Sequence, residues 1–182
     1  MLLLGFVASQ NRIYLLDKDF EIYSYELLQS VLLYQQAILS QDFDNAEQLI
    51  KSVPKEAYLK LAKFLEANDY KEIAYELTPD ATHRLDLAVE LGKLPAALEL
   101  AKASGKISAW KQVGDLALHV GSFDTAEMCF KEAQDLPSLF LLYTSISNRE
   151  GLKWIQQAAT EKGEANLLFL TSYLLVLLLY KI

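Results

Sequence analysis

Two periodicities divide the chain. Over residues 2–26 the apolar positions fall in short runs, LLLGFVA, RIYLL and EIYSYE, rich in β-branched and aromatic side chains. Ser9-Gln10-Asn11 and Asp17-Lys18-Asp19 separate them. Short apolar runs with polar breaks predict a three-stranded antiparallel meander. A sheet of that size buries too little by itself, so it is expected either to end a larger sheet or to dock on the first helix. From Leu27 the period becomes helical. Leu27, Val31, Tyr34 and Ile38 share one face, which predicts a helix ending near Ser40. No strong strand signal returns after that point.

The helical part repeats itself. QDFDNAEQLI (41–50), NDYKEIAYEL (68–77), GKLPAALELA (92–101) and GSFDTAEMCF (121–130) share a polar or Gly breaker, a hydrophobic anchor and an apolar residue three places on, usually Ala. Phe43, Tyr70, Leu94 and Phe123 are the anchors, so the steps are 27, 24 and 29 residues. SNREGLKWIQ (147–156) reads as a degenerate fifth copy. A small residue at a fixed place has a physical reason: two helices of a hairpin cross there and their backbones approach closely.

The stretch from Trp110 to Pro137 shows the unit best. Trp110, Val113, Gly114 and Ala117 lie on one helical face, Gly121-Ser122 interrupts, and Phe123, Ala126, Phe130 and Ala133 mark a second face. This pattern resembles the tetratricopeptide repeat, with departures at Ala117, where a larger aromatic is usual, and at Pro137, one place early. Pro54, Pro79, Pro95 and Pro137 are read as helix starts, where a missing N–H costs nothing. In Thr78-Pro79-Asp80, Thr78 is read as the cap and Asp80 as a first-turn acid. About ten helices in antiparallel pairs follow. The fold class is therefore mainly α: a TPR-like α-solenoid preceded by a short β-meander.

The segment 167–180, LLFLTSYLLVLLLY, is apolar all round. Fourteen residues of helix rise about 21 Å, short of a bilayer core of ~30 Å, and Thr171, Ser172 and Tyr173 interrupt it. A truncated core helix is the leading reading, with a C-terminal membrane anchor as the alternative. The start, MLLLGFVASQ, lacks a basic flank and suits a strand better than a signal peptide.

Charge and chemistry narrow the function classes. Seventeen Lys and Arg against 24 Asp and Glu give −7, without a basic cluster, so nucleic acid is not an expected partner. The single Cys129 cannot form an internal disulfide and reads as a small buried residue. His83 and His119 stand far from each other and from other metal-ligand spacings, and read as solvent-facing or capping. Capping and solvation account for Asp42, Asp44, Glu72 and Glu76, and core packing for Trp110 and Trp154. No phosphate loop, nucleophile elbow or CxxC occurs. No catalytic, cofactor-binding or metal site is expected, and an enzyme is the least supported class.

Longer motifs carry a family resemblance. GFV (5–7), NR-x-YL-x-DK (11–18) and SY-x-LL-x-SVL-x-YQ (24–35) closely resemble the junction of the coatomer β′-subunit family, where the second WD-repeat propeller passes into an α-solenoid. DF-x-x-A (42–46), VPKE (53–56), FLE (64–66), HR-x-x-LA-x-x-LG (83–92), WKQ-x-x-x-LA (110–117) and AQD (133–135) continue in the family's order. The resemblance runs from about Leu3 to Tyr173. It implies that residues 1–26 are closing strands of a WD40 propeller and that 27–182 form the solenoid, truncated at its C-terminus, where LLVLLLYKI replaces a further helix hairpin. By the same resemblance the chain is expected to be a structural part of the COPI coat in Golgi-to-ER retrograde and intra-Golgi transport. Its implied partners are the other coatomer subunits, the α subunit foremost, and an Arf-type GTPase acting through the coat. Its implied location is cytoplasmic, peripheral on Golgi membrane and COPI-coated vesicles. The propellers that bind dilysine signals in the family are absent, so no such residues carry over. Two alternatives stand beside this: a free-standing TPR-like peptide-binding adaptor, and a tail-anchored protein using 167–180.

Overall fold

The computed structural model describes the backbone of residues 1–180 and the side chains of residues 1–177; Lys181 and Ile182, the end of the apolar tail, lie outside the described residues. The chain divides into two compact units, Met1–Pro79 and Asp80–Ile182.

The first unit opens with the expected meander. Strands β1 (Leu2–Val7), β2 (Arg12–Leu16) and β3 (Ile22–Glu26) pair antiparallel in sequence order. Phe6 faces Ile13 across one ladder and Ile13 faces Tyr25 across the next, with a register irregularity between Leu3 and Gly5. The Leu27 N–H donates to the Asn11 carbonyl at 2.6 Å, tying the end of the sheet to its first turn. No strand residue is fully buried, and Leu2, Leu3, Phe6, Ile22 and Tyr25 are exposed.

Four helices complete this unit: α1 (Gln29–Leu39), α2 (Phe43–Leu49), α3 (Tyr58–Ala67) and α4 (Lys71–Leu77). The face read from the sequence holds for α1, with Tyr34 and Ile38 in the core. They join Ala46, Val53, Leu61, Ala62, Leu65 and Ala74. The second unit contains α5 (Ala81–Glu90), α6 (Leu94–Ser104), α7 (Ile107–Val120), α8 (Phe123–Glu132), α9 (Leu136–Ser145), α10 (Arg149–Lys162) and α11 (Ala165–Tyr180). That makes eleven helices among the described residues, packed as the antiparallel pairs of a TPR-like α-solenoid. The core of the second unit centres on Phe130, Leu139, Tyr143, Leu152 and Ile155.

One backbone device sets the register of the repeat. Gln41, Asp69, Gly92, Gly121, Gln134, Ser147 and Gly163 all have left-handed φ, between 48° and 80° with the other such residues of the chain. The residue after each donates its N–H back across the turn: Asp42 to Ala37, Tyr70 to Leu65, Lys93 to Ala88, Ser122 to Ala117, Asp135 to Phe130, Asn148 to Tyr143 and Glu164 to Ala159. This is the Schellman closure of a helix C-terminus. The donor residue then heads the next helix, so each of these turns joins one helix to the next through only two or three residues. Asp42, Asp135 and Asn148 add side-chain caps, accepting from the N–H of Asn45, Ser138 and Gly151.

Counted from the left-handed residue, the fifth position is buried in every repeat copy: Ala46, Ala74, Ala97, Ala126 and Leu152. The second copy therefore sits one residue away from its sequence reading. Tyr70 occupies the cap position held elsewhere by Asp42, Lys93 and Ser122, and Ala74, not Ile73, makes the close approach. The anchors are also less buried than their apolar character suggests, with Phe43 45% and Phe123 50% exposed, because they stand in the first turn rather than on the crossing face.

Proline and cap positions shift in the same way. Pro95 and Pro137 lie second in α6 and α9, Pro54 precedes a short 3-10 turn at Lys55–Ala57, and Pro79 precedes the cap of α5. The cap of α5 is Asp80, which accepts from the Thr82 N–H. Thr78 instead closes α4, its buried hydroxyl donating to the Ala74 carbonyl at 2.6 Å.

Candidate functional site

What this chain presents is a tightly specified interior and two apolar surfaces. Gly114 on α7 faces the ring of Phe130 on α8: a Cβ there would lie 2.5 Å from Cε1. Gly151 on α10 faces Tyr143 on α9, with a Cβ position 2.6 Å from both Cγ and Cδ2. A side chain at either position would push on the facing ring, at its outer edge for Phe130 and near its backbone end for Tyr143. The aromatic–glycine pairing at Gly114 matches the role expected for the Trp110–Pro137 stretch, where Val113, Gly114 and Ala117 are buried.

Polar groups bridge neighbouring helices in this unit. The Tyr143 hydroxyl donates to Glu127 Oε1 at 2.8 Å, and Lys131 Nζ donates to the same oxygen at 2.6 Å. Lys131 also stands 5.9 Å from the centre of the Trp154 ring, within cation–π range. The hydrogen bond from Lys131 holds the Glu127 carboxyl below its ordinary value, against the effect of burial and with help from Tyr143. Lys111 pairs with Asp135 at 2.9 Å. Burial pushes the Asp135 carboxyl up, but Lys111 and the Ser138 N–H together leave it lowered.

The residues singled out from the sequence fall as follows. Cys129 is fully buried and its thiol is pushed up by burial. Half-buried His83 lies in α5 and exposed His119 in the last turn of α7. Asp42 caps α2, and Asp44 and Glu72 lie in the first turns of α2 and α4. Trp110 is half-buried, but Trp154 is 46% exposed and does not pack in the core. The packed face of α10 is Gly151, Leu152, Ile155 and Ala159, and Trp154 lies about 100° round the helix from Ile155. Among the described residues no group of three or more His, Cys, Asp or Glu is placed to hold a metal ion.

The first apolar surface is the sheet. The second is α11, whose interruptions Thr171 and Ser172 turn toward the protein while Tyr173 stays outside. Thr171 is fully buried, its hydroxyl donating to the Leu167 carbonyl, while Ser172 Oγ accepts from Gln156 Nε2 on α10 at 2.9 Å. Phe169, Leu170, Tyr173 and Val176 lie on the open side, Phe169 stacked on Tyr173. The expected core helix is thus covered on one side only. Among the described residues no helix is long and apolar enough to cross a membrane.

Comparison with known proteins decides the family: the COPA/B TPR domain matches residues 34–178. The chain belongs to that family. It is a coatomer β′-like segment, 41% identical over 175 residues to coatomer subunit beta'-1 of Oryza sativa subsp. japonica. It is 40% identical to coatomer subunit beta'-3 of Arabidopsis thaliana and 37% identical to coatomer subunit beta' of Rattus norvegicus. Each of these alignments covers 96% of this chain and 19% of the relative, so the COPA/B TPR chain spans about a fifth of their length. Among solved structures, MamA AMB-1 aligns over 74% of this chain and 96% of its own, with 17% identity and a TM-score of 0.42.

Proposed function

We propose that this chain is a structural element of the COPI vesicle coat, acting by assembly with other coatomer subunits and without catalysis. The single observation that carries the reading is its identity of 37–41% with coatomer β′ subunits across 96% of its length. In this reading residues 1–26 are closing strands of a WD40 propeller and the helices from residue 27 onward are the solenoid that follows. The exposed strands support it, since three strands with no buried residue lack the cover that a larger sheet provides. The finer expectations belong here too: the α subunit as first partner, an Arf-type GTPase reached through the coat, peripheral attachment to Golgi membrane, and service in retrograde and intra-Golgi transport. Stacked helix pairs supply the mechanism, an extended side surface on which a second subunit can lie.

The test is a tagged copy of the chain expressed in cells and recovered from cytosol, with coatomer subunits quantified by mass spectrometry. Enrichment of the α subunit above all others is expected. A chain recovered free of every coatomer subunit overturns the proposal. Release of the protein from membranes by carbonate separates peripheral attachment from the tail-anchor alternative, which finds no helix of spanning length and apolarity among the described residues.

A further inference from the structure

The first unit contains a groove between α1, α2 and α4, of about 260 Å³. Tyr34 and Ile38 of α1, Phe43 of α2 and Ile73 of α4 give it an apolar lining, and the carboxylates of Glu47 and Glu76 complete the wall. No basic residue lines it. Among the described residues neither carboxylate has a hydrogen-bonding or ionic partner, and both are exposed. Tyr34 is only 3% exposed, yet its hydroxyl makes no hydrogen bond to any described residue. Burial raises the phenol pKa, so the hydroxyl remains a neutral donor at physiological pH. The ring is buried, while the hydroxyl lines a groove open to solvent, where it is free to donate to whatever enters.

We infer that this groove docks a protein segment that places one large apolar side chain between the three helices, with a lysine or arginine beside it. The volume lies below the roughly 300–1,000 Å³ of small-molecule sites and suits one or two side chains. Two unpaired acids on an apolar wall select a cation next to the apolar anchor, the arrangement of an amphipathic helix laid in a groove. The whole unit supports that sign: residues 1–79 carry seven Lys and Arg against twelve Asp and Glu. The Tyr34 hydroxyl supplies a donor for a carbonyl or hydroxyl of the incoming segment.

The experiment uses the 182-residue chain and fluorescein-labelled amphipathic 12-residue peptides read by anisotropy. One peptide carries a central Leu flanked by Lys, a second has Glu in place of each Lys, and a third has Ser in place of Leu. The Lys peptide is expected to bind about fivefold tighter than the Glu peptide, the scale of two exposed charge pairs. Loss of the Leu anchor abolishes binding. The double variant Glu47→Lys/Glu76→Lys, at two exposed positions and checked for fold by circular dichroism, reverses the charge preference; Glu47→Gln/Glu76→Gln erases it. Equal affinities for the Lys and Glu peptides overturn the inference. So does a charge preference that survives the reversal, an absence of binding up to millimolar peptide, or occupation of the groove by a second copy seen as a dimer in sedimentation.

Discussion

Replacing Gly151 by alanine is the sharpest test of the interior. The new Cβ would stand 2.6 Å from Tyr143 Cγ and Cδ2 and 2.7 Å from Cδ1, where carbon atoms pack at about 3.5–4.0 Å. Something must retreat by roughly 1 Å. The ring is poorly placed to do so, because Cγ sits next to the backbone and the hydroxyl is held by Glu127 at 2.8 Å. Overpacking of a core costs about 1–3 kcal/mol, and this geometry belongs in the upper half of that range. Alanine returns up to ~1 kcal/mol of helix propensity, less in the first turn where Gly151 lies. The net expectation is a loss of about 2 kcal/mol, which for a chain of this size lowers Tm by about 4–8 °C. Gly114→Ala provides the comparison. Its nearest atoms are Cε1, Cδ1 and Cζ of Phe130, the outer edge of a ring that can tilt, so the net loss should be about 1 kcal/mol or less. Urea unfolding followed by circular dichroism measures both. Adding Tyr143→Leu should make the Gly151→Ala double variant better than additive by at least ~1 kcal/mol. Equal losses at the two glycines, or strict additivity, would refute the reasoning.

Three further outcomes are expected. The lowered Glu127 carboxyl binds a proton more readily in the unfolded chain, so the stability it contributes is present above the ordinary value of 4.5 and is lost as pH falls below it. Glu127→Gln should therefore flatten stability between pH 5 and pH 3 by less than ~1 kcal/mol, since the pair with Lys131 is partly exposed; parallel curves for the two proteins would count against it. Cys129, fully buried with a raised pKa, should react with a thiol reagent orders of magnitude more slowly in buffer than in denaturing urea. Phe169→Glu/Tyr173→Glu, at positions 69% and 55% exposed, should reduce self-association in light scattering while leaving the unfolding midpoint close to unchanged.

Much of the architecture was legible because apolar spacing and burial coincide. Tyr34 and Ile38, Val113 and Ala117, and Ala126 and Phe130 are buried on the faces their periodicity marks. Gly92 and Gly121 announced their turns by residue type. Gln41, Asp69, Gln134 and Ser147 adopt the same left-handed backbone without glycine; Asp tolerates that region, but nothing in the chemistry of Gln41, Gln134 or Ser147 signals it. The second repeat copy is one residue out of step for that reason: Tyr70 has the apolar character of a first helical residue, while the backbone uses it as a cap. Trp154 departs from its expected core position for a different reason. Its size suggests burial, but its angle on α10 points it at Lys131. The groove of the first unit was not legible at all, because Tyr34, Phe43, Glu47 and Glu76 are brought together only by the packing of three helices.

The turns of two or three residues leave almost no slack in the chain. Where the closing residue of one helix is also the opening residue of the next, an inserted residue must break a helix end, a helix start or both. From α7 through α11 every connection has this form, so length there is quantised by the backbone and drift can occur only in side chains. The remaining helix connections, residues 50–57, 78–80 and 105–106, lack the device. Of the three, Gly105–Lys106 is exposed and is where the chain can take up a tag, a protease site or an extra residue; buried Val53 and Thr78 pin the other two joints in place.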